Sequence, residues 1–304
     1  MDLISNLAEN YPKTDECLEM DIVLEGGAAN GSYHIGCLLY IKLLEKKNIL
    51  KINRISGSSI GTIAGLYYLT DTLEDCIEVY KKLRESFKKD LNVSILKSIL
   101  EEKINKLTDE DINNLNDKLF IVYHDISQRK QVMINKFTEK KELLSSLLKS
   151  CHLPFLSQNS LFYIDDEKEY IDGGVPYIFS EREIGEKKIL YIEICKYGKL
   201  NGMFCVKKEK NNCGRLLEGA LDAHEFFLYK KPSKFCSFVN NWGMKDYVLL
   251  RFKQLIFKFM FYWIILFNLI GKKCFPYLPD IYIIQFFSPI FFNFYRDFLL
   301  FYCL

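Results

Sequence analysis

The sequence predicts an α/β fold, a sheet containing a parallel strand pair with helices on its faces. Two observations carry this: a strand, loop, helix, strand, turn, helix order fills the first 66 residues, and a run of buried type, Ile189 to Ile194, returns much later. Composition agrees. Of 304 residues, 49% are hydrophobic, 26% charged and 15% aromatic, enough to bury a large core and unlike a disordered or collagen-like chain.

The first element is Met20–Glu25, a short apolar run that stops at Gly26-Gly27-Ala28-Ala29-Asn30-Gly31. From Tyr33 to Lys47, Leu38, Leu39, Ile41, Leu43 and Leu44 give a helix with a broad buried face. A second strand, Lys51–Ser56, runs into Gly57-Ser58-Ser59-Ile60-Gly61 and a small, apolar helix start. Such an order implies two parallel strands joined by a right-handed crossover. Thr72–Leu107 reads as two charged surface helices, Lys118–Ile126 and Lys130–Phe137 as a strand pair, and Glu139–Ser150 as an amphipathic helix stopped by Pro154. Leu161–Ile164 and Glu169–Ile171 are short strands leading to Asp172-Gly173-Gly174, Lys188–Cys195 is a buried strand, and Arg215–Tyr229 is helical in pattern. The tail from Tyr247 is expected to form two or three amphipathic helices broken near Gly271, Pro276, Pro279 and Pro289.

Charge and cysteine usage exclude several classes. Lys plus Arg number 41 against 39 acidic residues, a net charge of +2, so nothing points to nucleic acid as a partner. The ten cysteines form no C-x-x-C pair and no zinc-spaced Cys/His cluster, and no metal site is expected. Met1–Asp21 has no apolar run of a secretory signal, and no stretch reaches about 18 uncharged apolar residues. A cytoplasmic protein, or one peripheral on an intracellular membrane and without a spanning helix, is therefore expected.

Three motifs carry chemistry. Gly57-Ser58-Ser59-Ile60-Gly61 is a G-x-S-x-G between strand and helix, the context that lifts the Ser59 hydroxyl off a tight turn toward a cleft. Gly57 and Gly61 leave room for that turn, and the alternative is a serine that simply caps the helix. The loop Gly26–Gly31 can turn its amides inward as a nest for an oxyanion, and crossover topology opens it onto the same cleft. Asp172-Gly173-Gly174 is an ordinary turn by itself. Beside a serine nucleophile, Asp172 in a partly dry cleft becomes a candidate base. Among the histidines, His34 follows the loop, while Ser59, Asp172 and His224 have the chain order of an α/β-hydrolase triad. Against that triad, only one strand and one helix precede the strand of the elbow, and His224 falls mid-pattern in a helix.

Together the glycine loop, the elbow and the later Asp-Gly-Gly resemble the patatin-like phospholipase family, over about Asp21 to Ile194. Ser150-Cys151-His152-Leu153-Pro154-Phe155 looks like that family's serine-to-proline segment. The resemblance implies a three-layer α/β/α sandwich with a mixed, largely parallel sheet over 18–200. The helical, aromatic-rich region 201–304 would follow as an extension. It implies a lipid acyl hydrolase of phospholipase A or lysophospholipase type using a Ser-Asp dyad: Ser59 as nucleophile, Asp172 as base, the amides around Gly27 and Ala28 as oxyanion hole, and no cofactor. Phospholipid or another lipid ester is the expected substrate.

Two departures matter. The family's loop usually carries a third glycine and a basic residue where this chain has Ala28 and Asn30, and Val175-Pro176-Tyr177 replaces the usual Asn-Pro after the Asp-Gly-Gly. Asn30 is expected to donate a hydrogen bond without supplying charge. A rival reading is therefore a catalytically silent lipid-binding protein, and another is a Ser-Asp-His esterase using His224. Residues 241–304 hold 21 of the 45 aromatics, seven basic and three acidic residues. They are expected either to lie on a membrane surface, with Lys245, Arg251, Lys253, Lys258, Lys272 and Lys273 toward anionic headgroups, or to pack against the sheet.

Overall fold

The computed structural model describes residues 2–12, 16–90, 92–158, 160–180, 187–199, 201–203 and 212–274. A mixed sheet lies between two layers of helices. Its parallel centre is β1 (Leu18–Leu24), β2 (Leu50–Ser58), β3 (Leu119–Asp125) and β7 (Lys188–Ile192), joined at the margins by antiparallel β4 (Lys130–Ile134), β5 (Tyr163–Asp165), β6 (Lys168–Asp172) and β8 (Cys236–Phe238). Met20, Ile22, Val23 and Leu24 of β1 are fully buried, which is why that strand reads as a continuous apolar run rather than an alternating one.

The helices are α1 (Asp2–Glu9), α2 (Gly31–Lys46), α3 (Ile60–Leu69), α4 (Asp75–Asp90), α5 (Leu96–Asn105), α6 (Asp109–Leu115), α7 (Lys140–Ser150), α8 (Cys213–Tyr229) and α9 (Met244–Cys274). The opening crossover, the 118–134 hairpin and α7 match the reading of the sequence. Helix α1, helix α6 with its Thr108–Asp111 capping box, and β8 were not foreseen, being short. In the tail, Met244–Cys274 is one continuous helix that runs through Gly271, where a break was expected, because a lone glycine weakens a helix without ending it. The breaks expected at Pro276, Pro279 and Pro289 lie outside the described residues.

The order of pairing on β3 positions the site. Residues 121 and 122 pair with both β2 and β4, and 123 to 125 with both β4 and β6. A strand has two edges, so β4 occupies one and β2 and β6 share the other, end to end. Val122 stands opposite Ser58, and Tyr123 opposite Asp172. Two chain segments more than a hundred residues apart thus finish at adjacent positions of one edge.

On one face, α2 and α8 cross at glycines. A Cβ on Gly36 would lie 2.8 Å from the Leu216 carbonyl carbon and 2.9 Å from the Ala220 nitrogen, and one on Gly219 would press on the Tyr33 backbone. Both helices come from the two regions that the sequence divided at residue 200, and β8 likewise pairs with β7. Gly36→Ala should therefore separate the helices and cost about 1–3 kcal/mol, overriding the gain in helix propensity. The urea midpoint would fall; an unchanged midpoint would show that the close crossing carries no stability.

Candidate active site

Ser59 is the single residue between β2 and α3. Its backbone sits at φ 52 and ψ −129, a conformation that costs a non-glycine residue of order 1–3 kcal/mol and persists only where the surroundings enforce it. The enforcement is visible. A Cβ on Gly57 would lie 2.6 Å from the Thr62 nitrogen, and one on Gly61 2.6 Å from the Leu24 carbonyl oxygen, so neither flank accepts a side chain. The Ser59 N–H donates to Ser150 Oγ at 3.1 Å, and that hydroxyl donates in turn to the Val122 carbonyl at 2.7 Å. The Ser59 hydroxyl makes no capping bond to α3, so it does not serve as the helix cap that the sequence left open.

Asp172 ends β6 next to this elbow. Its backbone N–H donates to the His152 carbonyl at 3.1 Å, and its Oδ1 accepts from the Gly174 N–H at 2.7 Å. Burial pushes the Asp172 carboxyl up to about 6, against the opposing pull of hydrogen bonds from the Ser59 side chain and the Gly174 amide. Ser59 and Asp172 are thus side by side. The Oδ2 atom is sealed from solvent and accepts no hydrogen bond of standard geometry, which leaves an acceptor position open beside the hydroxyl. Ser58 ties the two motifs together, its hydroxyl donating to the Gly174 carbonyl at 2.8 Å. Gln131 of β4 holds the same turn through Gly173 and Val175 carbonyls at 3.2 and 2.7 Å. Gly174 is left-handed at φ 64 and Gly173 lies hard against the Val122 backbone, so both glycines of this motif are required by the turn.

The loop Gly26–Gly31 faces the elbow. A Cβ on Gly26 would lie 3.2 Å from Ser59 Cβ, and one on Gly27 2.8 Å from Ile194. Ala28 takes φ 47, a left-handed conformation that favours glycine, so the methyl at this position adds strain. The Asn30 N–H closes the loop onto the Gly27 carbonyl at 3.0 Å. Asn30 donates, as expected, but to backbone carbonyls. Its side chain is fully buried, donating to the carbonyls of Ile194 (3.0 Å) and Lys199 (2.9 Å) and accepting from Arg215, so its amide hydrogens are used in holding the loop.

Ala28, Ala29, Ser32 and Ser59 line one cleft, walled chiefly by Ile60, Ile63, Leu83, Phe87, Leu96 and Leu156. Arg84 and Asn212 supply polarity, with Arg84 Nη1 donating to Asn212 Oδ1 at 3.1 Å. Such an apolar cleft with few polar groups suits a hydrocarbon chain.

The histidines lie elsewhere in the network. His224 Nδ1 is 2.8 Å from the Tyr40 hydroxyl, and Tyr40 stands nine residues into α2, about 14 Å along its axis from Gly31. His34 is wholly buried against the Ile192 carbonyl, its pKa held down to about 4 by burial. His124 Nδ1 meets the Asp172 carbonyl at 3.2 Å, a backbone contact only. Among the described residues, no group of three or more His, Cys, Asp or Glu side chains is placed to hold a metal ion.

Helix α9 crosses the outside of this site. Lys253, Phe257, Phe261 and Ile265 recur every four residues on one face. Lys253 pairs with Glu25 at 2.7 Å and Glu193 at 2.5 Å, Phe257 covers Gly174, and the Phe261 ring lies 4.8 Å from that of His124. Burial raises the Glu25 carboxyl, and the Lys253 ammonium opposes that rise. Lys253 is therefore turned inward, as in the packing alternative, and not toward headgroups. The pair joins residues 228 apart, and no local pattern announces it.

A family model described as patatin-like phospholipase matches residues 22–177, just over half of the chain. No curated protein matches it. The matched span contains the elbow, the glycine loop, the serine-to-proline segment and the Asp-Gly-Gly turn, all on the mixed sheet between helices described above. On that match and that architecture, the chain belongs to the patatin-like phospholipase family, whose members generally hydrolyse lipid esters.

Proposed function

We propose that the protein cleaves carboxylic esters of phospholipids or lysophospholipids through a Ser59–Asp172 dyad. The observation that carries this is the buried Asp172 carboxylate, with an open acceptor atom, beside a serine held in a strained elbow. In the first step Asp172 takes the proton from Ser59 Oγ, which attacks the ester carbonyl carbon. The oxyanion is held by the amides of Gly27 and Ala28, helped by the N-terminus of α3. Collapse expels the alcohol or lysolipid, which receives the proton back from Asp172. A water deprotonated by the same carboxylate then releases the fatty acid and restores the serine. The apolar cavity beside Ser59 accommodates the acyl chain.

Ser59→Ala and Asp172→Ala should each reduce hydrolysis of p-nitrophenyl butyrate by about 10³-fold or more, with little further loss in the double variant, because the pair acts as a unit. Serine-directed fluorophosphonate should label the native chain and not Ser59→Ala, while His224→Ala keeps its labelling. Near-native hydrolysis by Ser59→Ala would end the assignment.

The base must be ionised to act, so kcat/KM should fall about tenfold per pH unit below about 6 and level off above it. The same raised pKa works against folding. The unfolded carboxyl ionises near 4, so the stability it contributes is fully present below that pH and is lost as pH rises through about 6. Asp172→Asn should consequently be inactive yet more stable at pH 7, by about 1–3 kcal/mol. Thermal unfolding at pH 4 and pH 7 checks the sign: the gain should vanish at the lower pH.

Helix α9 is proposed to bring the site to a lipid surface. Its outward face carries Phe252, Leu255, Phe259 and Trp263, each 59–68% exposed, with Lys245, Arg251 and Lys258 on the same helix. Among the described residues no helix is long and apolar enough to cross a membrane, and an amphipathic helix lying in the interface fits this pattern. Replacing Phe252, Phe259 and Trp263 together by Asp should cut flotation with anionic vesicles by about tenfold or more while hydrolysis of the soluble ester persists. Undiminished flotation would remove the membrane role.

A further inference from the structure

The loop Gly26–Gly31 contains no charged side chain, and its one long polar side chain, Asn30, is committed to holding other parts of the chain. We propose that Arg215, in the first turn of α8, is a positioning residue for this loop, setting through Asn30 the backbone geometry at Gly27 and Ala28. The inference rests on the hydrolase reading above and adds a residue to it.

Four observations converge. Arg215 is 6% exposed, and its Nη1 donates to Asn30 Oδ1 at 2.7 Å and to the Gly202 carbonyl at 2.8 Å. A charged donor to neutral oxygens makes short, directional bonds, so the guanidinium fixes both partners at once. Asn30 lies two residues beyond Ala28, and Gly202 one residue before Met203. Ala28 and Met203 both line the cavity that holds Ser59. One guanidinium therefore ties together two walls of that cavity. The second observation is that Asn30 leaves no slack. Its amide nitrogen is taken by the Ile194 and Lys199 carbonyls, and its own backbone N–H by Gly27.

Third, Ala28 is held at φ 47, a conformation that an alanine leaves once its restraints are removed. Something outside the loop must keep it there, and the bond network ending at Arg215 is in contact with the loop on that side. Fourth, Arg215 stands on a rigid base. Helix α8 is locked to α2 at the Gly36–Gly219 crossing, and α2 begins at Gly31, where the loop ends. Loop and arginine thus share one frame. If the amides of Gly27 and Ala28 serve the oxyanion, loosening the loop misplaces donors without deleting them, and a displacement near 1 Å is enough to cost about 100-fold in rate.

The test compares the full chain with Arg215→Gln, Arg215→Lys and Arg215→Gln/Ala28→Gly. Fluorophosphonate labelling counts competent sites, and p-nitrophenyl butyrate hydrolysis gives kcat and KM per labelled site. Arg215→Gln should lower kcat per site by about 10- to 100-fold with KM within about twofold, and Arg215→Lys should recover part of the loss. Ala28→Gly should restore Arg215→Gln by threefold or more, because glycine holds the left-handed conformation without help. A residue that merely stabilises the fold would reduce the number of labelled sites and leave kcat per site unchanged, and that result overturns the proposal. So does a loss that Ala28→Gly leaves untouched. If the native chain neither labels nor hydrolyses the ester, the hydrolase reading itself fails; if it does both and Arg215→Gln matches it per site, only the role of Arg215 is lost.

Discussion

The shared edge of β3 is the constraint on which the site depends. Because Val122 faces Ser58 and Tyr123 faces Asp172, strands arriving from opposite directions stop at neighbouring rungs, and their ends are held together by backbone hydrogen bonds. The remaining links are short and local to that junction. Ser58 bonds the Gly174 carbonyl, Ser150 bridges the Ser59 amide to the Val122 carbonyl, and Gln131 supports the Asp-Gly-Gly turn from the opposite edge. Each of these fixes backbone rather than a reactive atom. The strained φ of Ser59 and the unsatisfied Oδ2 of Asp172 are tolerated because these bonds hold the backbone around them.

Several unfavourable features meet at the site. A left-handed serine, a left-handed alanine, a buried carboxylate and a buried Glu25 all lie within or beside the cleft. The core beneath is well filled, with most of β1 and α2 buried. Strain of this kind is tolerated where the core recovers the stability. Lys253 illustrates the compensation. Its ammonium reaches Glu25 across 228 residues of chain and Glu193 across 60, neutralising the carboxylate that precedes the glycine loop and pinning α9 over the site. The same helix leaves Phe252, Phe259 and Trp263 outward, so the element that covers the Asp-Gly-Gly turn also presents an exposed apolar face.

Much of this was legible in the residues. Tight turns and glycine loops depend on a few neighbouring φ angles and on whether a Cβ fits, which is why the elbow at Ser59, the loop at Gly26–Gly31 and the turn after Asp172 stand out in the chain by themselves. Hydrophobic periodicity likewise sets the order of β1, α2, β2, α3, β3, β4 and α7. The inward turn of Lys253 was not legible, since its partners Glu25 and Glu193 lie on distant parts of the chain.

What the sequence by itself determined, then, is the local geometry of each motif and the succession of strands and helices, because those follow from steric limits and spacing over a few residues. The tertiary structure alone decided which groups meet. Asp172 stands beside Ser59 because β2 and β6 share an edge, His224 is committed to Tyr40 because α8 crosses α2, and Arg215 reaches Asn30 from the same crossing. Pairings across 100 to 230 residues are selected by the summed burial and hydrogen bonding of whole elements, a cooperative quantity that no short stretch of chain contains.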